Sequence, residues 1–340
     1  KMRISEPKFW WYSNPPFPIN CLIFIWSLFL SLIIFFKNFF VKEYSSSIPV
    51  VCVGNFVVGG QGKTPFTRLI RRVIESKGLT TGVILRGYGG SNNLTKIITE
   101  TDLPKEFGDE SILHSMDGLT VVSRNRKEAI KILEKTPVNV AILDDGFQNP
   151  SIKKDISIVL VDLSKGFGNG SLIPFGPMRE SLADGLKRTD LIIFIDSIGE
   201  EHISINEIKE LWRGPQLTAK YNTVLGDSIK PNVILYSGIS NPRKFTKGVA
   251  DKGFNIIKNF IFHDHEAICE KKARMILDAS HKEGADIVTT DKDYARLKNS
   301  PKGSYREKLF LESRVAELEI IVDQDFLLEF LAQTINSGVE

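Results

Sequence analysis

The sequence predicts an α/β fold: a doubly wound, mainly parallel sheet, followed by a second, smaller α/β domain and preceded by an apolar helix. Three observations carry that expectation. Short, β-branched apolar runs alternate with helical patterns along most of the 340 residues. The runs are continuously apolar rather than alternating, as strands covered on both faces must be. The first of them leads into a glycine-rich turn closed by Gly62-Lys63-Thr64, where a helix begins.

The front of the chain differs from the rest. Ile19 to Phe36 is eighteen residues without a charge. As a helix it would be about 27 Å long, close to the ~30 Å hydrocarbon core of a bilayer. Lys1, Arg3 and Lys8 precede it, Lys37 and Lys42 follow, and Trp10, Trp11 and Tyr12 stand where interfacial aromatics anchor an approach. The run is too long for a cleaved signal sequence, and no small-residue cleavage site follows it. Residues 1–43 are therefore expected to form a membrane-associated region, either spanning the bilayer or lying in one leaflet. A buried core helix is the competing reading.

Residues 44–215 read as the first domain. Strand-like runs fall at 48–53, 82–85, 119–122, 138–143, 156–161 and 191–195. Phe66, Leu69, Ile70, Val73 and Ile74 recur at i, i+3, i+4, i+7 and i+8, an amphipathic helix that Gly78 ends. Such alternation is the mark of α/β architecture. From Trp212 the pattern loosens into a polar stretch through Pro231. It restarts at 233–236, with strand-like runs at 254–262 and 286–290 and helices near 242–252 and 266–281. A short strand at 320–322 and an amphipathic helix at 326–335 finish residues 216–340, the smaller domain, with the packing of that last helix left open.

Composition narrows the class. The chain is 42% hydrophobic and 25% charged with no low-complexity tract, which excludes extensive disorder. A net charge of +3 is too weak for a nucleic-acid partner, but it suits an anionic substrate or a membrane surface. Cys21, Cys52 and Cys269 are far apart and form no metal spacing, so free thiols in a reducing compartment are expected.

The segment Val57-Val58-Gly59-Gly60-Gln61-Gly62-Lys63-Thr64 reads as a phosphate-binding loop because a strand precedes it and a helix follows. Backbone N–H groups of Gly59, Gly60, Gln61 and Gly62 would cradle the phosphates at the helix start. Lys63 would add charge to them and the Thr64 hydroxyl would ligate Mg²⁺, so ATP with Mg²⁺ is the expected ligand. Pro65 fits the first helical turn. The usual leading glycine is Val57 here. The apolar run Val140–Leu143 ends in Asp144-Asp145, the carboxylates such a sheet uses to hold a metal or its water. Adjacent acids point in different directions, so one faces Mg²⁺ and the other does something else; Asp145-Gly146 also fits a turn.

Further polar clusters sit at strand ends: Arg86-Gly87-Tyr88, Gly108-Asp109-Glu110, Asp144-Asp145-Gly146-Phe147-Gln148, Gly168-Asn169-Gly170 through Pro177-Met178-Arg179-Glu180, His263-Asp264-His265 and Thr289-Thr290-Asp291-Lys292-Asp293. Taken singly, Asp109-Glu110 reads as acids favoured at a helix N-terminus. His263-Asp264-His265 reads as a surface turn, and no further Cys or His completes a metal site.

Together, from about Trp26 to Leu297, these motifs resemble those of the lipid A 4′-kinase family (tetraacyldisaccharide 4′-kinase), whose loop has the same Gly-Gly-x-Gly-Lys-Thr-Pro form. The resemblance implies transfer of the γ-phosphoryl of ATP to the 4′-hydroxyl of a tetraacyl glucosamine disaccharide 1-phosphate. It implies Asp109 as base paired with His265, across the two expected domains, and Lys63 on the phosphates. Glu110, Asp144, Asp145 and Thr64 would hold Mg²⁺ or its waters, and Gln148, Arg179 and Glu180 would line the nucleotide or acceptor. Arg124 or Arg126 would meet the 1-phosphate. An acylated disaccharide lipid as partner implies the inner, cytoplasmic membrane, with the catalytic domains on the cytoplasmic side. The chain departs from the family pattern at Asn149, where His is usual, at Lys154-Asp155, where Arg-Asp is usual, and at Asp291, where Glu is usual.

Two other readings use fewer of these residues. A membrane-associated phosphate-loop ATPase acting as a regulatory switch or partner-binding protein needs Lys63, Thr64 and an acid, and gives Asp109 and His265 no work. A soluble small-molecule kinase would not need residues 1–42.

Overall fold

Runs of Val, Ile and Leu without polar interruption become strands buried on both faces, and the computed structural model places them close to where the pattern puts them. It describes residues 41–196, 201–226, 228–239, 241–263 and 266–335, together with Pro7, residues 9–12, Ile23, Ile25, Trp26, Phe29, Leu30, Leu32 and Phe40. In chain order the strands are β1 (Val50–Gly54), β2 (Thr81–Leu85), β3 (Lys96–Ile97), β4 (Thr120–Val122), β5 (Val140–Asp144) and β6 (Ile156–Asp162). They continue as β7 (Leu191–Asp196), β8 (Gln216–Val224), β9 (Asn232–Ser237), β10 (Asn255–Ile261), β11 (Asp286–Thr290) and β12 (Ser313–Ile321). The architecture is α/β and mostly parallel, as expected; among the described strand-to-strand registers β3 with β4 is antiparallel and the others are parallel.

Contacts divide the chain into two units. The first comprises residues 1–80, 133–220 and 322–340; the second comprises 81–132 and 221–321. This is not the contiguous split at 215/216 read from the sequence. The reason is a small core that pattern alone cannot reveal: Ile98, Phe107, Ile112, Leu113 and Val122 bury themselves together with Ala295.

In the first unit the parallel order is β8-β7-β6-β1-β5. Every residue of β1, β5 and β6 is buried. The helix Lys63–Glu75 lays Phe66, Leu69, Ile70, Val73 and Ile74 into the core, the stripe its spacing predicts. The last helix, Gln324–Ile335, packs against Lys63–Glu75 and buries Leu327, Leu331 and Ile335. That settles its packing on the first unit.

In the second unit β10-β9-β11-β12 are parallel, and β2, β4 and β3 lie in the order β2-β4-β3. Tyr236, Ile276, Ile287 and Leu309 centre one core on that parallel group. Strand β8 was expected to be an irregular polar stretch. It is held by backbone pairing of Gln216–Lys220 to β7, with only Ala219 of its residues buried, so it needs no apolar run.

Among the described residues no helix is long and apolar enough to cross a membrane. The expected helix at 19–36 lies mostly outside the described residues. Those that are described there, from Ile23 to Leu32, are helical.

β1 ends hard against the turn that follows β5. A Cβ added at Gly54 would collide with Phe147 Cβ, and Phe147 is itself fully buried, edge-on to Phe56 with ring centroids 5.7 Å apart. Because the obstacle is the root of a buried side chain, it cannot swing away. Gly54→Ala is expected to cost about 1–3 kcal/mol. A fall in the urea midpoint checks this; an unchanged midpoint would show that the turn relaxes freely.

Candidate active site

In the first unit, β1 opens into a loop that closes at Gly62. Gly62 has φ 79°, a left-handed conformation strained for any other residue, and this lets the helix start at Lys63 without an intervening turn. Gly59 is also left-handed, Gly60 is exposed, and Gln61 and Thr64 are buried. The Lys63 ammonium lies back over its own loop. It donates to the Gly59 carbonyl at 3.1 Å and to Asn55 Oδ1 at 3.2 Å, and it stands 3.6 Å from Asp145 Oδ1. An ammonium carries three donors and no acceptor, so oxygen on several sides is what it requires.

The two acids after β5 do differ. Asp144 is buried and level with Val53 in the sheet register. Asp145 takes a left-handed φ of 55°, which Asp tolerates better than most residues. It receives a two-pronged bond from Arg179, Nη1 at 2.7 Å and Nη2 at 3.2 Å. Arg179 also donates to Gln148 Oε1 at 3.1 Å. Gln148 Nε2 in turn donates to the Asn55 carbonyl at 2.7 Å and to Glu180 Oε1 at 3.1 Å. Glu180 is buried and its other oxygen accepts from Arg188, which stacks over the Phe147 ring 4.6 Å from the centroid. Gly54-Asn55 belongs to the motif shared with the family, but sequence reading assigns Asn55 no role of its own; it overlooks Arg188, because a lone Arg carries no pattern.

No group of three His, Cys, Asp or Glu among the described residues is placed to hold a metal. A Mg²⁺ carried on nucleotide phosphates needs only one or two protein oxygens beside water. The Thr64 hydroxyl and the Asp144 carboxylate are donors of that kind at the loop's helix and at the level of its strand, so the residues fit the ion.

Asn149, the departure from the family's usual His, has turn work: its Oδ1 accepts from Ser151 N at 2.8 Å and Ser151 Oγ at 2.6 Å. Lys154 donates to the Asn149 carbonyl at 2.5 Å, and burial pushes its ammonium below the usual lysine range.

In the second unit, Asp109 and Glu110 open the helix Asp109–Asp117. Each meets a base from the helix Asp291–Leu297. Arg296 Nε donates to Asp109 Oδ2 at 2.6 Å, and Lys292 Nζ to Glu110 Oε1 at 2.6 Å. Arg296 Nη1 also donates to Asp293 Oδ1 at 2.5 Å and to the Gly238 carbonyl at 2.7 Å. Asp293 is fully buried and accepts from the Gly238 amide at 3.0 and 3.1 Å and from the Thr290 hydroxyl at 2.7 Å. Burial pushes the Asp293 carboxyl up, and Arg296, the Gly238 amide and Thr290 pull against that.

His265 lies outside the described residues. Its neighbour His263 donates its amide to Glu266 at 2.9 Å, and the His263 carbonyl comes close to Gly238. Asp109 and residues 263 and 266 belong to one unit. Arg126 is buried and donates to the Ser123 carbonyl at 2.9 Å, whereas Arg124 is exposed. Of the two, Arg124 is the one open to a solvent-borne phosphate.

Glu180 holds two neighbours. Glu180→Ala leaves Arg188 and Gln148 short of an acceptor, and because the Arg188 side chain is 39% exposed the cost is discounted to about 1–3 kcal/mol. A lower urea midpoint is the expected result. Lost ATP affinity at unchanged stability would show instead that Glu180 touches the nucleotide.

Comparison with known proteins identifies the family. The family model for tetraacyldisaccharide-1-P 4′-kinase matches residues 19–336. The tetraacyldisaccharide 4′-kinase of Rhizobium rhizogenes is 33% identical over 294 residues, 85% of this chain and 81% of that relative. The one from Allorhizobium ampelinum is 30% identical over 330 residues, 95% and 94% of the two chains. A crystal structure of LpxK from Aquifex aeolicus in complex with ATP shares the fold with a TM-score of 0.72, at 23% identity over 93% of this chain and 99% of that one. The chain belongs to the tetraacyldisaccharide-1-P 4′-kinase family.

Proposed function

We propose that this chain transfers the γ-phosphoryl of ATP to the 4′-hydroxyl of a tetraacyl glucosamine disaccharide 1-phosphate, a step of lipid A assembly. The observation that carries the reading is the loop closed by Gly62, with the Lys63 ammonium on loop oxygens and 3.6 Å from Asp145, in a chain matched by the family over residues 19–336. The fold is read as the doubly wound phosphate-loop type.

Phosphoryl transfer asks a protein for positioning and charge rather than covalent chemistry. Lys63 and the loop amides bind the β- and γ-phosphates. Thr64 and Asp144, with Asp145 as a further candidate, would hold Mg²⁺, and the ion would supply charge neutralisation for the transferring group. Gln148 and Arg179 orient the donor side, and Glu180 holds Gln148 by accepting from its amide. Asp109, with His265 as partner, takes the proton of the 4′-hydroxyl as that oxygen bonds to the γ-phosphorus. The bond from this phosphorus to the β–γ bridging oxygen breaks, and ADP leaves.

Membrane association is part of the same proposal. Ile25, Phe29 and Leu32 share one helical face and are exposed by 63%, 52% and 53%, whereas Ile23 is buried. Apolar residues facing outward along a helix suit an acyl-chain environment. Trp10 and Trp26 tie this region to the first unit through indole bonds to the Pro174 carbonyl at 2.9 Å and the Ile173 carbonyl at 2.8 Å. Since ATP is cytoplasmic, the catalytic residues are assigned to the cytoplasmic side of the inner membrane.

Mass spectrometry of the product formed by detergent-solubilised protein, ATP and the disaccharide acceptor tests the activity directly. Asp109→Ala is expected to lower transfer about 10²–10⁴-fold while ATP still binds. Hydrolysis of ATP with no phosphorylated lipid, unaffected by Asp109→Ala, would favour the regulatory-switch reading. Serine at Ile25, Phe29 and Leu32 together is expected to reduce co-flotation with anionic phospholipid vesicles; undiminished flotation would remove that face from membrane binding.

A further inference from the structure

We infer that Arg296 is a positioning residue for the transfer, holding the Asp109 carboxylate in place through a guanidinium that is itself anchored to Asp293 and Gly238. The inference rests on the kinase reading and on Asp109 as its base.

The network has a direction. Asp293 is fully buried and locked by the Gly238 amide on both oxygens and by the Thr290 hydroxyl. Arg296, one helical turn later, completes that cluster with Nη1 bonds to Asp293 Oδ1 and the Gly238 carbonyl. A buried Arg–Asp pair at i, i+3, capped by a carbonyl, already satisfies much of the guanidinium locally. Yet Nε reaches to Asp109, 187 residues away in sequence, at 2.6 Å. The guanidinium is planar, so fixing Nη1 on two partners also fixes the direction of Nε. Asp109 therefore receives a donor whose place is set by two backbone groups of Gly238 and by a buried acid.

The guanidinium holds the Asp109 carboxylate through an oriented Nε–H bond to Oδ2. The neighbouring pair shows the contrast. Lys292 and Glu110 have side chains 27% and 37% exposed, against 6% and 14% for Arg296 and Asp109. Lysine is a point charge on a flexible stem and sets distance without orientation.

The informative variant is Arg296→Lys, because it keeps a cation beside Asp293 while losing the rigid fork; alanine would leave a buried acid unpaired and risk unfolding. Steady-state kinetics are compared for the wild-type chain, Arg296→Lys, Asp109→Ala and the double variant, with melting curves for each. Arg296→Lys is expected to lower kcat about 10- to 100-fold with the KM for ATP within about twofold, and to add nothing once Asp109 is alanine. A kcat within about twofold of wild type, or losses that multiply in the double variant, would overturn the inference. A wild-type chain that forms no phosphorylated lipid sinks the kinase reading itself. An active Asp109→Ala variant removes the base, and with it what Arg296 is said to position.

Discussion

A strand buried on both faces can place a charged side chain only near where it stops. In the first unit β1 runs buried to Gly54 and releases Asn55; β5 does the same for Asp144 and Asp145. In the second unit β9 stops at Ser237 and delivers Gly238, and β11 ends at Thr290, whose hydroxyl caps the next helix and holds Asp293. Open α/β folds gather ligands at these carboxyl ends for the same reason. The charged and amide residues are packed against one another there because the strands beneath them hold apolar side chains and only small hydroxyls such as Ser157 and Thr289.

That crowding also gives the ammonium of the loop its oxygen partners within the chain. Lys63 has an 11% exposed side chain, so an ammonium left without oxygen would be costly. The loop supplies a carbonyl and an amide oxygen, and Asp145 supplies charge from a carboxylate still 39% exposed and therefore screened. A triphosphate would exchange these oxygens for others carrying more negative charge, and no step would strip the ammonium bare. Arg179 meanwhile keeps Asp145 paired, so the acid does not depend on Lys63.

Most of this was legible because it is local. Continuous apolar runs marked the buried strands to within two residues or so, and the stripe from Phe66 to Ile74 marked the helix after the loop. Gly62-Lys63-Thr64 and Asp144-Asp145 could be assigned because strand context gives them meaning. What stayed hidden depends on distant partners. Strand β8 is polar and owes its form to pairing with β7. The second unit takes in residues 81–132 through side chains such as Ile112 and Val122 that meet Ala295. Arg188 and Arg296 are single bases whose partners no spacing rule names.

The acids at 109 and 110 show where a local explanation stops sufficing. Asp and Glu in the first turn of a helix are favoured by its dipole alone, which asks for no cation and leaves the side chains in water. Here both are matched by bases one turn apart on another helix, and Asp109 is withdrawn to 14% exposure. Removing a carboxylate from water costs free energy that a dipole worth less than about 1 kcal/mol does not offset. The Arg296 guanidinium can offset it, and the position of that guanidinium is set by a buried acid and the backbone of Gly238. The helix N-terminus accounts for why acids are tolerated at these positions. The placement of Asp109 has its origin in the second helix.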